Sequence, residues 1–456
     1  MTQTNTTLKD NQNKTYIKMT TTPVGPLILK MAIPTIISMM VSAIYNMADT
    51  FFVSQLGTSA SGAVGIIFSL MALIQAFGFT IGMGSGSLMS RALGARDNDR
   101  ANTFSSTAIF TAIFTGIAIA ITGIIFQDWI TKRLGATPTI LPYAKAYGKY
   151  IFLAAPFMVS SFVMNNQLRF QGKASLSMVG LTTGAILNIF LDPLFIFVFK
   201  LGISGAAIAT MCSQVVSFSI LLSMFVRHKA TTALSVRFVS HKFSTYKNII
   251  RNGLPSLFRQ GMGCIAAICL NVAAGKYGDA AVAGMSITTR VFMLLMSVAI
   301  GLGQGFQPVC AMNYGAKLYT RVRQAYRFLQ RITGSVMFLF EIIVFIFAPE
   351  ILRAFRDDPA VISAGTLAMR LQAIPLFLHS VIFSTNMLLQ TTGKARSATF
   401  LSTLRQGLYF IPLILILPHF MGLKGVQSAQ AISDLLTSLT SVPFAVYFFK
   451  HIGEDD

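Results

Sequence analysis

Polar breaks divide the chain into twelve long apolar runs. They lie near residues 27–53, 60–90, 102–127, 145–168, 176–199, 203–226, 249–274, 281–312, 325–348, 361–389, 397–418 and 422–449. A hydrocarbon core needs about 20 apolar residues per crossing helix. Backbone groups in lipid must be paired within the segment that carries them, so runs of this length and uniformity predict helices. A β-barrel would require short alternating strands. The pattern therefore predicts an all-α polytopic membrane protein with twelve transmembrane helices. Residues 1–24 are polar and rich in Thr, Asn and Lys, without an apolar core or small-residue cleavage site, and read as a tail rather than a signal peptide.

Composition agrees and removes other classes. Of 456 residues, 54% are hydrophobic and only 11% charged, too little polar surface for a water-soluble globule. The net charge of +21 would suit nucleic acid, but the basic residues sit in short gaps between apolar runs. Sorting those gaps by side explains the charge instead. With a cytoplasmic N-terminus, 23 Lys and Arg fall inside and 9 outside, so the positive-inside rule places both termini in the cytoplasm. No nucleic-acid partner is implied. The four cysteines, Cys212, Cys264, Cys269 and Cys310, form no CxxC and read as small buried side chains. No GxxxxGK[ST] loop and no HExxH occurs, so neither a phosphate-binding cofactor site nor a zinc site is expected.

One register of self-similarity runs through the chain. At a spacing of 221, Pro34 matches Pro255, Gly57 matches Gly278, Gly82 and Gly84 match Gly303 and Gly305, and Gly94-Ala95 matches Gly315-Ala316. Leu168, Gly172 and Lys173 match Leu389, Gly393 and Lys394, and Gly202 and Gly205 match Gly422 and Gly425 after a slip of one. The halves, 25–226 and 249–449, each hold six spans and are joined by a basic linker, 227–248, with cytoplasmic tails at 1–24 and 450–456. Six spans return the chain to its starting side, so the lobes share one orientation and a pseudo-two-fold axis along the membrane normal. The repeated glycines read as sites of close helix packing. Pro34 and Pro255 are either tolerated kinks or hinges for lobe movement.

Ionisable groups inside spans cost on the order of 2.5–3.5 kcal/mol at a helix centre. Asp49, Asp192, Arg259, Arg290, Glu341, Arg370, Arg405 and Asp434 are the candidates. Asn188 and Asp192 are four apart and share one helix face, as do Tyr45 and Asp49. Two carboxylates among neutral donors and acceptors suit reversible protonation, and the same oxygens at Asp49, Asn188 and Asp192 suit sodium. In the second half Asp49 corresponds to Leu270, and Asp192 to Leu413 or Pro412. Glu341 and Asp434 correspond to Ala120 and Gln214. Packing repeats while chemistry diverges, which assigns ion coupling to the first lobe. In the second, Arg259, Arg290, Glu341, Arg370 and Asp434 form a candidate polar site, with the two acids as partners for Arg290 or Arg370.

The fragments Ala48-Asp49-Thr50 with Gly57, Leu168-Arg169-Phe170-Gln171-Gly172, Asn188 to Pro193, Gly303-Gln304-Gly305-Phe306-Gln307-Pro308 and Asn313-Tyr314-Gly315-Ala316 together resemble the multidrug and toxic compound extrusion (MATE) transporters, in their bacterial multidrug-pump branch. The resemblance implies an inner-membrane antiporter, sufficient as a monomer, that expels organic and mostly cationic compounds against inward H+ or Na+. It also carries the coupling site onto Asp49, Asp192, Asn188 and Thr210, with Tyr45 and Asn165 lining the pocket. The span-seven Glu of other branches has no counterpart, since no acid lies between Arg251 and Asn271. A flippase for a lipid-linked sugar is the alternative, with Arg259, Arg290 and Arg370 around a pyrophosphate. An enzyme would need a nucleophile–base pair or metal cluster, and no such spacing appears.

Overall fold

The structure, a computed structural model, describes residues 2–454. Met1, Asp455 and Asp456, the extremities of the two expected tails, lie outside the described residues. The first lobe holds α2 (Val24–Ser54), α3 (Thr58–Gly94), α4 (Asn98–Ile125), α6 (Leu141–Phe170), α7 (Ala174–Pro193) and α8 (Gly202–Val226). The second holds α9 (Phe243–Gly275), α10 (Asp279–Gly315), α11 (Tyr319–Ile346), the broken span α13 (Pro359–Ala373) with α14 (His379–Thr391), α15 (Ala395–Thr403) with α16 (Phe410–Met421), and α17 (Leu423–Lys450). Among the described residues, eleven helices are long and apolar enough to cross a membrane, and the bent pair makes twelve. The expected all-α architecture of twelve spans in two lobes is borne out. The end of the bundle carrying both chain termini is called basal below, and the opposite end distal.

Three features depart from uninterrupted spans between plain loops. Span ten bends by 44° where α13 meets the turn before α14, because Pro375 offers no N–H to continue the ladder. Five-residue turns of wider π geometry interrupt span five at Leu194–Val198 and span eleven at Leu404–Leu408. The N-terminal segment, expected as a tail, is a helix, α1 (Thr2–Thr21). Its polar side chains find partners on the basal face. Gln12 donates to the Thr231 carbonyl at 3.2 Å, Asn11 to that of His228 at 3.1 Å, and Arg96 stacks over Tyr16. From the other lobe, Asn313 donates to the Met19 carbonyl and Arg321 to that of Thr22. Short helices α5 (Gln127–Arg133) and α12 (Ala348–Phe355) lie at the distal end. On α5, the 2.6 Å ion pair with Lys145 holds Asp128 below the usual carboxylate range.

The repeat read from the sequence is visible atom by atom. Gly57 and Gly278 open α3 and α10 with φ of 108° and 95°, a region that favours glycine. Asn165 donates to the Ser177 carbonyl at 3.0 Å, and Asn386 to the Ala398 carbonyl at 2.8 Å. Both members of each pair are 221 residues apart.

The same symmetry builds the contact between lobes. A Cβ on Gly84 of α3 would collide with the Ile249 carbonyl of α9, and one on Gly305 of α10 with the backbone of Ala32 on α2. At the axis, a Cβ on Gly94 would strike the Met312 carbonyl and one on Gly315 the Arg91 carbonyl. Ser87, Ser90, Arg91 and Arg169 add hydrogen bonds to Thr391, Pro308, Thr392 and Gln304 across the seam. Every such close approach and hydrogen bond among the described residues lies in the basal halves of the helices. The lobes are thus joined basally, where small residues let backbones touch, and Pro34 lies between the seam residues Ala32 and Ile36.

This geometry predicts what a side chain at the axis does. Cys310, fully buried on α10, should be protected from a water-soluble maleimide in protein whose other three cysteines are replaced by serine. Gly315→Val should raise its labelling rate several-fold by prising the seam open. Unchanged protection in that variant would show that the seam does not depend on the glycine contact.

Candidate ion and substrate site

Four helices of the first lobe converge on a polar pocket in its distal half. α2 supplies Tyr45 and Asp49 one turn apart, α7 supplies Asn188 and Asp192 one turn apart, α8 supplies Thr210, and α6 supplies Tyr147. All six are buried, Asp192 completely and Asp49 to 8% exposure. The i,i+4 spacing aims each pair of side chains from one helix face. Beyond Asp192, Pro193 and the π turn at Leu194–Val198 interrupt regular hydrogen bonding, a local irregularity that membrane helices tolerate where they line a site.

The polar contacts are specific. With its amide nitrogen toward the carboxylate, Asn188 donates to Asp192 Oδ2 at 3.0 Å and its oxygen accepts from the Thr210 N–H at 3.2 Å. This orientation suits a carboxylate, which only accepts. The Tyr147 hydroxyl lies beside Asp49 and Thr210. Asp49 Oδ1 and Asp192 Oδ1 are both buried without a hydrogen-bond partner. Two carboxylates thus share one low-dielectric pocket with spare acceptor capacity, and among the described residues no Lys or Arg pairs with either.

Of the residues expected here, Tyr45, Asp49, Asn188, Asp192 and Thr210 come together. Asn165 does not. It ties α6 to Ser177 near the start of α7, fifteen residues from Asp192 and so about 22 Å along the helix. The position it was expected to fill is taken by Tyr147, which nothing in the sequence distinguishes from other tyrosines near span ends.

The second lobe is built otherwise. Asp434 does not pair with Arg290 or Arg370. Arg405 Nε donates to Asp434 Oδ1 at 2.8 Å, Gln430 donates to the same oxygen at 2.9 Å, and His379 Nε2 stands 3.4 Å from Oδ2. The π turn carrying Arg405 and the break preceding His379 bring these groups into register with α17. Arg370 donates to the Phe345 carbonyl at 3.1 Å and lies over that ring. Glu341 lies against the Phe377 N–H, and Arg290 is exposed. Arg259 is half-buried on α9, with one guanidinium nitrogen enclosed and unpartnered. The five candidates therefore do not form a single site. Among the described residues, no group of three or more His, Cys, Asp or Glu could hold a metal ion.

Comparisons with known proteins bear on this arrangement. The MatE family model matches residues 34–194 and again residues 255–416, once in each lobe. The multidrug export protein MepA of Staphylococcus aureus is 27% identical over 444 residues, covering 97% of each chain. MepA of Staphylococcus saprophyticus is 27% identical over 420 residues, covering 92% of each. Among solved structures, a MATE protein in complex with MaL6 superposes with a TM-score of 0.91 at 26% identity, over 96% of this chain and 99% of that one. An outward-facing multidrug resistance MATE transporter gives 0.90 at 26% identity, over 96% and 98%. With one family model filling both lobes, as the sequence resemblance implied, the chain belongs to the multidrug and toxic compound extrusion (MATE) family of membrane transporters.

Proposed function

We propose that this protein exports organic cations in exchange for protons, by alternating access, and that Asp49 and Asp192 carry the exchange. The observation supporting this is the pair of buried carboxylates, each with an unpartnered oxygen, in a distal pocket where no described Lys or Arg pairs with them. In this reading residues 25–226 and 249–449 are the moving lobes, Pro34 and Pro255 their hinges, and 227–248 the cytoplasmic linker. The basal end is cytoplasmic, in line with the bias of basic residues toward it. The membrane is the bacterial cytoplasmic membrane, and a monomer suffices.

The chemistry follows from charge. Two like charges in a dry pocket repel strongly, so the pair holds at least one proton or a cation. With the basal seam closed and the distal halves apart, a proton arriving from outside protonates one carboxylate of the pair and displaces a bound organic cation. When the lobes reverse, the proton leaves toward the cytoplasm and the carboxylates accept the next cation. Asn188 donates to Asp192 Oδ2 while that carboxylate is charged. Each proton entering gains about 2.3 kcal/mol per 100 mV of potential, which the exit of one monovalent cation offsets, so a one-for-one exchange is driven by the pH gradient. Sodium would occupy the same oxygens at Asp49, Asn188 and Asp192, and is the competing coupling ion.

A lipid-linked sugar flippase is less well supported. Its cationic cavity needs Arg259, Arg290 and Arg370 together, and Arg370 is engaged by Phe345 instead.

In proteoliposomes, an imposed pH gradient should move a fluorescent organic cation, and Asp49→Asn and Asp192→Asn should reduce movement to that of protein-free vesicles. Movement driven only by a sodium gradient would replace the proton with sodium. Movement surviving in Asp192→Asn would refute the site. Asn188→Leu, which keeps the shape but neither donates nor accepts, should slow gradient-driven movement about tenfold or more, because a hydrogen bond to a charged group is worth about 1.5–3 kcal/mol. An unchanged rate in Asn188→Leu would remove the amide from the mechanism.

A further inference from the structure

Away from the pocket just described, the basal end of the second lobe contains a cavity of about 500 Å³ between α11, α14 and α17. Its lining divides sharply by chemistry. Arg323 and Arg327 on the first turns of α11 and Lys450 at the last residue of α17 supply three positive charges. No Asp or Glu lines it, and none of the three cations pairs with a carboxylate among the described residues. The remaining wall is largely aliphatic and aromatic: Val442 and Val446 on the outer face of α17, 45% and 62% exposed, and Phe449 beneath Arg323.

The arrangement is anchored rather than accidental. Arg323 Nη2 donates to the Phe449 carbonyl at 3.0 Å while its guanidinium stacks on that ring. Gln330 donates to the Tyr326 hydroxyl at 2.9 Å, and that hydroxyl lies 2.9 Å from Thr385 Oγ1 on α14. Arg327 and Lys450, exposed at the mouth, are left to meet a ligand. The mouth lies where the spans end, at the level of lipid headgroups, and the apolar wall runs from there along the lipid-facing side of α17.

We infer that this cavity binds one anionic phospholipid of the basal leaflet, its phosphate held by Arg323, Arg327 and Lys450 and an acyl chain lying along Val442, Val446 and Phe449. Charge complementarity selects an anionic headgroup, since three cations with no acid among the described lining residues leave a zwitterionic lipid's ammonium without a partner. The apolar wall selects a lipid over free phosphate. Basic pockets between spans on the positively biased side are suited to such headgroups. The site is adjacent to the lobe contact, because Phe328, the residue after Arg327, packs against Gly25 of α2. A bound lipid would therefore brace α11 where it meets the first lobe.

The test counts lipids retained by the purified full-length protein. Native mass spectrometry after mixing with equal amounts of dioleoyl phosphatidylglycerol and dioleoyl phosphatidylcholine should show one tightly held phosphatidylglycerol, favoured about tenfold or more. The triple variant Arg323→Gln/Arg327→Gln/Lys450→Gln should lose that preference. Val446→Trp, which fills the acyl side without touching the charges, should lower occupancy of the same lipid, and it decides the matter if the triple variant does not fold. Millimolar inorganic phosphate should not displace the lipid. Equal retention of the two lipids by the wild type, an unchanged preference in the triple variant, full occupancy in Val446→Trp or displacement by phosphate would each overturn the inference.

Discussion

Everything in this molecule hangs on how closely two lobes can approach at one end. Backbone meets backbone across the basal seam because glycine stands at 84, 94, 305 and 315, where any Cβ would collide with the opposite lobe. Contact that close seats backbone atoms against bare glycine Cα positions and is discrete: the surfaces are either seated or apart. Among the described residues these close contacts are confined to the basal halves, whereas Asp49 and Asp192 lie in the distal half of the first lobe.

Within the frame, two halves that repeat in backbone differ in how they treat charge. The first lobe leaves Asp49 and Asp192 without a basic partner and gives them only neutral company, Asn188, Thr210, Tyr45 and Tyr147. The second lobe has a buried acid too, but commits it: Arg405, His379 and Gln430 surround Asp434. A guanidinium offsets the charge of Asp434 beside a broken helix, whereas Asp49 and Asp192 need a proton or a cation to offset theirs. The interruptions fall beside these groups in both lobes, after Asp192 in one, at Arg405 and before His379 in the other. Both lobes thus place irregular backbone where polar side chains need room.

Much of this was readable in the sequence, because a bilayer leaves so few options. Twelve apolar runs mean twelve helices once unpaired backbone is forbidden, and a single register of 221 is enough to fold one half onto the other. Asn188 and Asp192 were visible through the 3.6-residue turn, and Asp49 through the expense of its position. What escaped depended on side-chain reach across helices. Tyr147 enters the pocket and Asn165 does not, although both lie on one face of α6, because about 27 Å of helix axis separates them. His379 joins Asp434 because Pro375 breaks span ten, and a proline reports a break without reporting its direction. The helix of α1 was hidden for another reason: its polar sequence has no apolar stripe, and its order comes from hydrogen bonds to the linker and to α10 and α11.

In the proposed exchange a proton and an organic cation displace one another at Asp49 and Asp192. The decisive measurement follows proton release when a fluorescent organic cation binds to the detergent-solubilised protein in weakly buffered, sodium-free solution near neutral pH. About one proton should leave per cation bound, and none in the Asp49→Asn/Asp192→Asn double variant. Tight cation binding by the wild type without proton release, or release that persists in the double variant, would contradict it.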